Sequence, residues 1–197
     1  MKYQKLTHIQ KLYFGHEELA RVLGISQTSA KVAASRYVHQ GWLVRIKRNV
    51  YMLREKWKTA SLEELFQVAN ISQVPSYISL STALGFYGIS TQIQRDFIES
   101  IALQRTHEIY VNSTVFIYTR ISKDLYFGFD RRQEYFMACP EKALLDAMYL
   151  ISFGRYSLDT SALDPSRLDV HHLSSLSQPF PSRTRKLLRS HGYLSEA

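Results

Sequence analysis

The stretch over residues 16–53, HEELARVLGISQTSAKVAASRYVHQGWLVRIKRNVYML, constrains the fold more than any other part of the chain. Leu19, Ala20 and Leu23 fall on one face of a first helix. Gly24-Ile25 follows where a sharp turn needs a residue free to take a positive φ. Ser26 is placed to cap a second helix, because its side-chain oxygen accepts from the free N–H groups of a first turn. Ala30, Ala33 and Tyr37 then repeat at i, i+3, i+7 as an inward stripe. Two helices crossing steeply need small contacts, and Ala20, Ala30 and Ala33 supply them. With that stripe turned in, Gln27, Thr28, Lys31, Ser35 and Arg36 face out, the amide, hydroxyl and cationic types that reach base edges and phosphates. Gly41 stops the helix. Residues 42–46 and 50–53 are β-prone runs on either side of Lys47-Arg48-Asn49, a cationic turn in which Asn tolerates the left-handed region. Helix, turn, helix and basic hairpin is the order of a winged helix-turn-helix.

The charge distribution bears on the same stretch. Residues 1–58 hold 12 Lys and Arg against Glu17, Glu18 and Glu55, a net +9, whereas residues 59–197 hold 13 against 14 acidic groups, a net −1. All of the formal +8 therefore sits on the first third, which is the footprint of a phosphate-binding module. A helix-Gly-helix pair alone is a packing motif in many all-α proteins. The hairpin and the localised charge favour DNA here, with RNA binding or a protein-interaction winged helix as the other readings.

The 197 residues suit two modest domains, 1–58 for the winged helix-turn-helix and 59–197 for an α+β remainder. A hydrophobic content of 45% argues against disorder, and no apolar run approaches the roughly 20 residues of a membrane span. The first residues lack the apolar stretch of a secretory signal, and the lone Cys139 has no partner for an internal disulfide. A cytoplasmic protein is expected, with a zinc site built on cysteines excluded.

In chain order, residues 2–14 read as an opening helix with Leu6, Ile9 and Tyr13 inside and Lys5 and Lys11 outside. Residues 54–58 read as a charged connector and the domain boundary. Ser61 and Glu64 form a capping box for a helix ended by Pro75, and residues 79–88 read as a further short helix. Residues 98–103, 108–111, 115–121 and 134–138 are β-rich runs, with Asp130-Arg131-Arg132 as a turn, and together they predict a small antiparallel sheet flanked by helices. Pro140 stands at the first position of a helix over residues 141–151. Asp164-Pro165 reads as a similar start, and Ser182 as the cap of a last helix.

Catalytic signatures are missing: no Gly-rich phosphate loop, no G-x-S-x-G, no H-E-x-x-H. Asp124, Asp130, Glu134 and Asp146 are too dispersed to suggest an acidic centre. His171 and His172, adjacent on a helix, point about 100° apart and read as a solvated face. Cys139, just ahead of a helix N-terminus, is where a thiolate gains stability and its pKa falls, yet at the end of an apolar strand it reads as structural. Arg183, Arg185, Lys186 and Arg189 read as a solvated basic face. No catalytic residue, cofactor or metal is expected.

Three segments carry a resemblance. The wing Arg45-Ile-Lys-Arg-Asn-Val-Tyr51, the segment Tyr77-Ile-Ser-Leu-Ser-Thr-Ala-Leu84 and Pro140-Glu-Lys-Ala-Leu-Leu-Asp146 together resemble the AbiEi antitoxin family of abortive-infection systems. Asn49 stands where a Gly is often found in that wing turn, a departure that still permits the left-handed region. The resemblance implies that the N-terminal winged helix binds the promoter of its own operon. It also implies that the C-terminal domain neutralises a nucleotidyltransferase-like toxin encoded alongside.

The expectation is thus a non-enzymatic, sequence-specific transcriptional repressor of its own operon, the antitoxin of a phage-defence pair. Gln27, Thr28 and Lys31 are assigned to bases, and Arg36, Arg45, Lys47 and Arg48 to phosphates or the minor groove; Ser35 and Asn49 complete the DNA-binding set. Because one winged helix buries little DNA, two copies are expected on an inverted-repeat operator in double-stranded DNA, as a homodimer or as monomers side by side. The alternative is a ligand-sensing winged-helix regulator without a toxin partner. That reading needs an apolar pocket with a few converging polar groups within residues 60–197.

Overall fold

The protein is described by a computed structural model over residues 2–91 and 97–195. It divides into two compact units, residues 1–68 with 111–113, and residues 69–110 with 114–197.

The first unit opens with α1 (Lys2–Leu6), shorter than the helix expected over residues 2–14. The chain turns at once, Ile9 N–H donating to Leu6 O at 3.0 Å, and both residues stay fully buried. Phe14, rather than Tyr13, takes the next inner position. It exchanges two 2.9 Å backbone hydrogen bonds with Tyr51, a strand-like pairing that a continuing helix could not make. Then come α2 (His16–Leu23) and α3 (Gln27–His39), separated by Gly24 at φ 67° and by Ser26, whose oxygen accepts from Ser29 N–H at 3.1 Å. The end of α3 is closed by Trp42 N–H donating to Tyr37 O at 2.9 Å across Gly41 at φ 73°.

Strands β1 (Leu43–Lys47) and β2 (Val50–Leu53) form the wing, paired antiparallel from Leu43 with Leu53 to Lys47 with Val50. Only Arg48 and Asn49 make the turn, and Asn49 takes φ 58° as its side chain allows. Leu6, Ile9, Leu19, Ala30, Tyr37 and Leu43 form the core beneath it. Trp42 seals one side, its ring 5.0 Å from Tyr37 and 5.3 Å from Tyr3. The charged run over residues 54–58 is a correction to the connector reading. It is α4 (Arg54–Lys58), with Trp57 buried and Lys56 Nζ donating to the carbonyls of Gln10 and Lys11. Its cations flank one large apolar ring, and a pattern-based reading sees the cations.

The next helix, α5 (Leu62–Ser72), straddles the division between units. Its capping box is formed in both directions: Ser61 N–H donates to Glu64 at 2.8 Å, and Glu64 N–H to Ser61 Oγ at 3.2 Å.

The second unit has a six-stranded sheet. Its strands are β3 (Ser76–Ile78), β4 (Phe97–Ala102), β5 (His107–Val111), β6 (Thr114–Arg120), β7 (Phe129–Arg132) and β8 (Tyr135–Ala138), in the order β5-β6-β4-β3-β8-β7. The α+β class is as expected, but the sheet is larger and mixed: β4 runs parallel to β6 and β3 parallel to β8, while β3–β4 and β7–β8 are antiparallel. β3 is three residues long and buried throughout, so it shows no alternation to read. β7 includes Asp130-Arg131-Arg132, expected as a turn; it is an exposed edge strand, and the reversal falls instead at Gln133, φ 49°.

Helices α6 (Leu80–Phe86), α7 (Pro140–Ser152), α8 (Val170–Ser177) and α9 (Ser182–Ser190) complete the unit. Pro140 opens α7 as expected. Asp164-Pro165 starts only a short 3-10 turn, and the helix begins later, where Asp169 accepts from His172 N–H at 3.0 Å. Ser182 is the first residue of α9 rather than its cap.

The interior of this unit is not purely apolar. Lys142, at 0% exposure, forms an ion pair with Asp146, also fully buried, and donates to Tyr77 Oη at 2.8 Å. Asp146 in turn accepts from Tyr77 Oη at 2.9 Å and from Ser79 Oγ at 2.8 Å. Ser79 precedes α6 but spends its hydroxyl here instead of capping that helix. The Lys142 ammonium lies over the rings of Tyr77, Phe127 and Phe180, and its stem passes Gly128, where an added Cβ would come within 3.0–3.2 Å.

Candidate nucleic-acid interface

The outer face of α3 follows from its buried one. Ala30, Ala33, Ala34 and Tyr37 are buried; Gln27, Thr28, Lys31, Ser35 and Arg36 are all exposed. Turning about 100° per residue, Gln27, Thr28, Lys31 and Ser35 fall within one arc of about 100°, with Thr28 and Ser35 farthest from the buried face and Gln27 nearest to it. Arg36 lies at the flank, its guanidinium carbon 5.4 Å from the Tyr37 ring centre. Val32 and His39 share the exposed surface and were missed by sequence reasoning. Val32 is 67% exposed, an apolar side chain among exposed polar ones. Its signal was available: position 32 falls outside the i, i+3, i+7 stripe.

Arg45, Lys47, Arg48 and Asn49 are exposed on the wing. One side chain links wing and helix. His16, at the start of α2, has its pKa lowered by partial burial and then by the positive charges of Lys31 and Arg45. Lys31 on α3 and Arg45 on the wing both lower the same imidazole's pKa. His16 Nε2 is also 3.1 Å from Tyr51 Oη. By contrast, Lys11 and Arg21 both pair with Glu18 and so bring less net charge to this surface.

Asn49 has a second task that sequence reasoning did not see. Its Oδ1 accepts from His16 N–H at 2.7 Å, satisfying one of the free donors at the start of α2 and tying the wing turn to that helix. Gly15 makes this approach available, because a Cβ there would lie 3.1–3.2 Å from Asn49 atoms. The turn therefore holds Asn, which tolerates positive φ and carries the acceptor that Gly lacks.

The Cys139 thiol is pushed up to about 11 by burial, with the Glu141 carboxylate adding to the effect, opposite in sign to the lowering expected from its place ahead of α7. Lys142 and Asp146 are closed off from solvent and so have no access to a substrate. His171 and His172 are exposed, with His172 Nδ1 3.1 Å from Glu141 Oε2. Arg183 stacks on Phe153 at 4.4 Å, so the basic face of α9 is partly engaged with its own unit. A cavity of about 330 Å3 is lined by Ile71, Val74, Pro75, Tyr126, Phe129 and Phe136. Asn70 also borders it, and its buried Nδ2 has no hydrogen-bond partner among the described residues. No described helix is long and apolar enough to cross a membrane.

Comparison with known proteins separates fold from family. No curated protein matches the chain. The crystal structure of the Rv2827c protein from Mycobacterium tuberculosis is similar in fold, with a TM-score of 0.60 over 96% of this chain and 75% of that one, at 14% identity. Over residues 1–54, the winged helix described above, the chain matches the AbiEi antitoxin family of transcriptional regulators.

Proposed function

We propose that this protein is a sequence-specific repressor that occupies the promoter of its own operon and serves as the antitoxin of an abortive-infection pair. The observation that supports the DNA-binding part is the exposed set of polar and cationic side chains, Gln27, Thr28, Lys31, Ser35 and Arg36 on α3 beside Arg45, Lys47 and Arg48 on the wing, over an apolar core. Gln27, Thr28 and Lys31 read base edges in the major groove. Ser35, Arg36, Arg45, Lys47 and Arg48 hold phosphates or the minor groove, and Asn49 fixes the wing that presents them. Two copies occupy an inverted repeat, and the second unit opposes the cognate nucleotidyltransferase-like toxin. The antitoxin part rests on the family match of the first 54 residues.

Promoter binding measured against salt tests this reading. Each neutralised phosphate contributes about −0.9 to the slope of log K against log salt, and Arg45→Ala flattens the slope by about one such contribution. A salt-independent affinity overturns it. Toxin neutralisation is tested by co-expression: growth rescued by the full chain supports the antitoxin role, and no rescue by a promoter-binding protein leaves a plain regulator.

The cavity beside Asn70 favours a second reading, a regulator whose second unit senses a small molecule with an apolar body and one hydrogen-bond acceptor. A ligand-dependent rise in melting temperature that is lost in Phe129→Ala supports it. No shift across a panel of such compounds counts against it.

A further inference from the structure

Cys139, Glu141 and His172 each have a separate, structural explanation in the sequence, and the tertiary structure brings them together. Cys139 immediately precedes α7, Glu141 is the second residue of that helix, and His172 is the third residue of α8. Asp169 N–H donates to Glu141 Oε1 at 2.9 Å, His172 Nδ1 is 3.1 Å from Oε2, and one ligand atom from each of the three side chains lies within 4.8 Å of the others. Glu141 is 5% exposed, a buried carboxylate whose ion-pair partner among the described residues is an imidazole that is charged only when protonated. Buried charges are ordinarily paired with a full opposite charge or ligate a metal. The nearby Lys142 ammonium does not fill this need, because its charge is matched by Asp146.

The donor set is a thiolate sulfur, an imidazole nitrogen and a carboxylate oxygen, the types that zinc takes at about 2.0–2.3 Å in tetrahedral geometry. Tetrahedral ligands at those lengths stand about 3.2–3.7 Å from one another. The Glu141–His172 separation is already near that range, and the outer limit of 4.8 Å asks for a closure of about 1 Å. Of the three donors, His172, whose side chain is 47% exposed, has the most room to adjust.

We propose that Cys139, Glu141 and His172 form a three-ligand site for a divalent cation of the zinc class, with the fourth position left to water. The Cys139 thiol gives its proton to solvent as the sulfur–metal bond forms, and nothing is oxidised or reduced. Two anionic ligands neutralise the dication, and the metal pins the start of α8 to the start of α7. The adjacent His171 stands about 100° around the helix and takes no part.

Cobalt(II) alone, added to the metal-stripped full chain, tests the site. Cys139 is the only cysteine in the sequence, so a thiolate-to-cobalt charge-transfer band in the near ultraviolet has one source. The expected result is a band that saturates at about one equivalent with tetrahedral visible absorption and is displaced by zinc. It is absent in Cys139→Ser, and cobalt binds His172→Ala at least about tenfold more weakly. His171→Ala behaves as the parent. The exposed position of His172 keeps that variant folded, so its result stands whatever Cys139→Ser does to stability. Absence of the band, its full retention in His172→Ala, or an equal loss in His171→Ala overturns the proposal.

Discussion

Lys31 stands exposed on the outer face of α3, and Lys142 is sealed inside the second unit against Asp146 and Tyr77. The same side chain serves opposite ends in the two regions. In the first unit the cations lie on the surface, and the interior of α2, α3 and the wing is apolar: Leu6, Ile9, Leu19, Ala30, Tyr37 and Leu43. In the second, a nearly neutral sequence carries buried Glu99, Glu141, Lys142 and Asp146, tied into hydrogen-bond networks. Glu99, for instance, accepts from Ser81 N–H at 3.0 Å and from Tyr156 Oη at 2.8 Å, while burial raises its pKa. Net charge thus describes the use of the first region and conceals the design of the second. Exposed charge acts over distance on a partner, whereas buried charge acts only on the groups that enclose it.

The largest effect expected from this contrast lies in the interior. Lys142→Met removes one partner of a buried pair and leaves Asp146 uncompensated, so denaturant unfolding should show a loss of about 3–5 kcal/mol. Adding Asp146→Leu should recover much of it. An equal loss in single and double variants would show that shape, not charge pairing, matters there. On the surface, Gln27→Ala should cost about 1–3 kcal/mol at one base position and leave stability intact. An equal loss on random DNA would make Gln27 a backbone contact.

The wing turn gives a smaller and more local test. Asn49→Gly keeps the positive φ but deletes the acceptor for His16 N–H, and should cost about 0.5–1.5 kcal/mol of stability. Asn49→Ala should cost about 1 kcal/mol more, because it adds the left-handed penalty. Equal values would mean that the acceptor carries the whole effect.

The smallest effect is the pH dependence of His16. Its folded pKa is lowered by burial and by Lys31 and Arg45, so folding favours the neutral ring. The stability it contributes is present above its unfolded pKa of about 6.5 and is lost as pH falls through the lower folded value. His16→Gln should flatten the stability profile on the acid side of about pH 6.5. The same flattening in Lys31→Ala would tie it to that lysine, and an unchanged slope would break the link between helix and wing.

Legibility in the sequence followed the physics of each element. The turn at Gly24, the cap at Ser26, the inward stripe of α3 and the capping box at Ser61 are set by residues within a few positions of one another, and each formed as read. The exposed set on α3 was legible for the same reason, since one buried stripe fixes the opposite face. α1 was read too long because the pairing of Phe14 with Tyr51 joins residues far apart in the chain. β3 and the parallel pairings escaped notice because a strand buried on both faces loses its alternation.

The sequence by itself therefore determined the winged helix, its outward side chains and the concentration of charge on the first third, all of which depend on short-range spacing. Only the tertiary structure decided what Asn49 holds, what encloses Lys142, and that Cys139 and Glu141 meet His172. Each of these needs two segments brought together by packing, 33 residues apart for Asn49 and His16 and 31 for Glu141 and His172. Local propensity carries no information about such meetings. The free energy that selects them comes from burying whole faces of the two units, and it is settled only when the chain has folded.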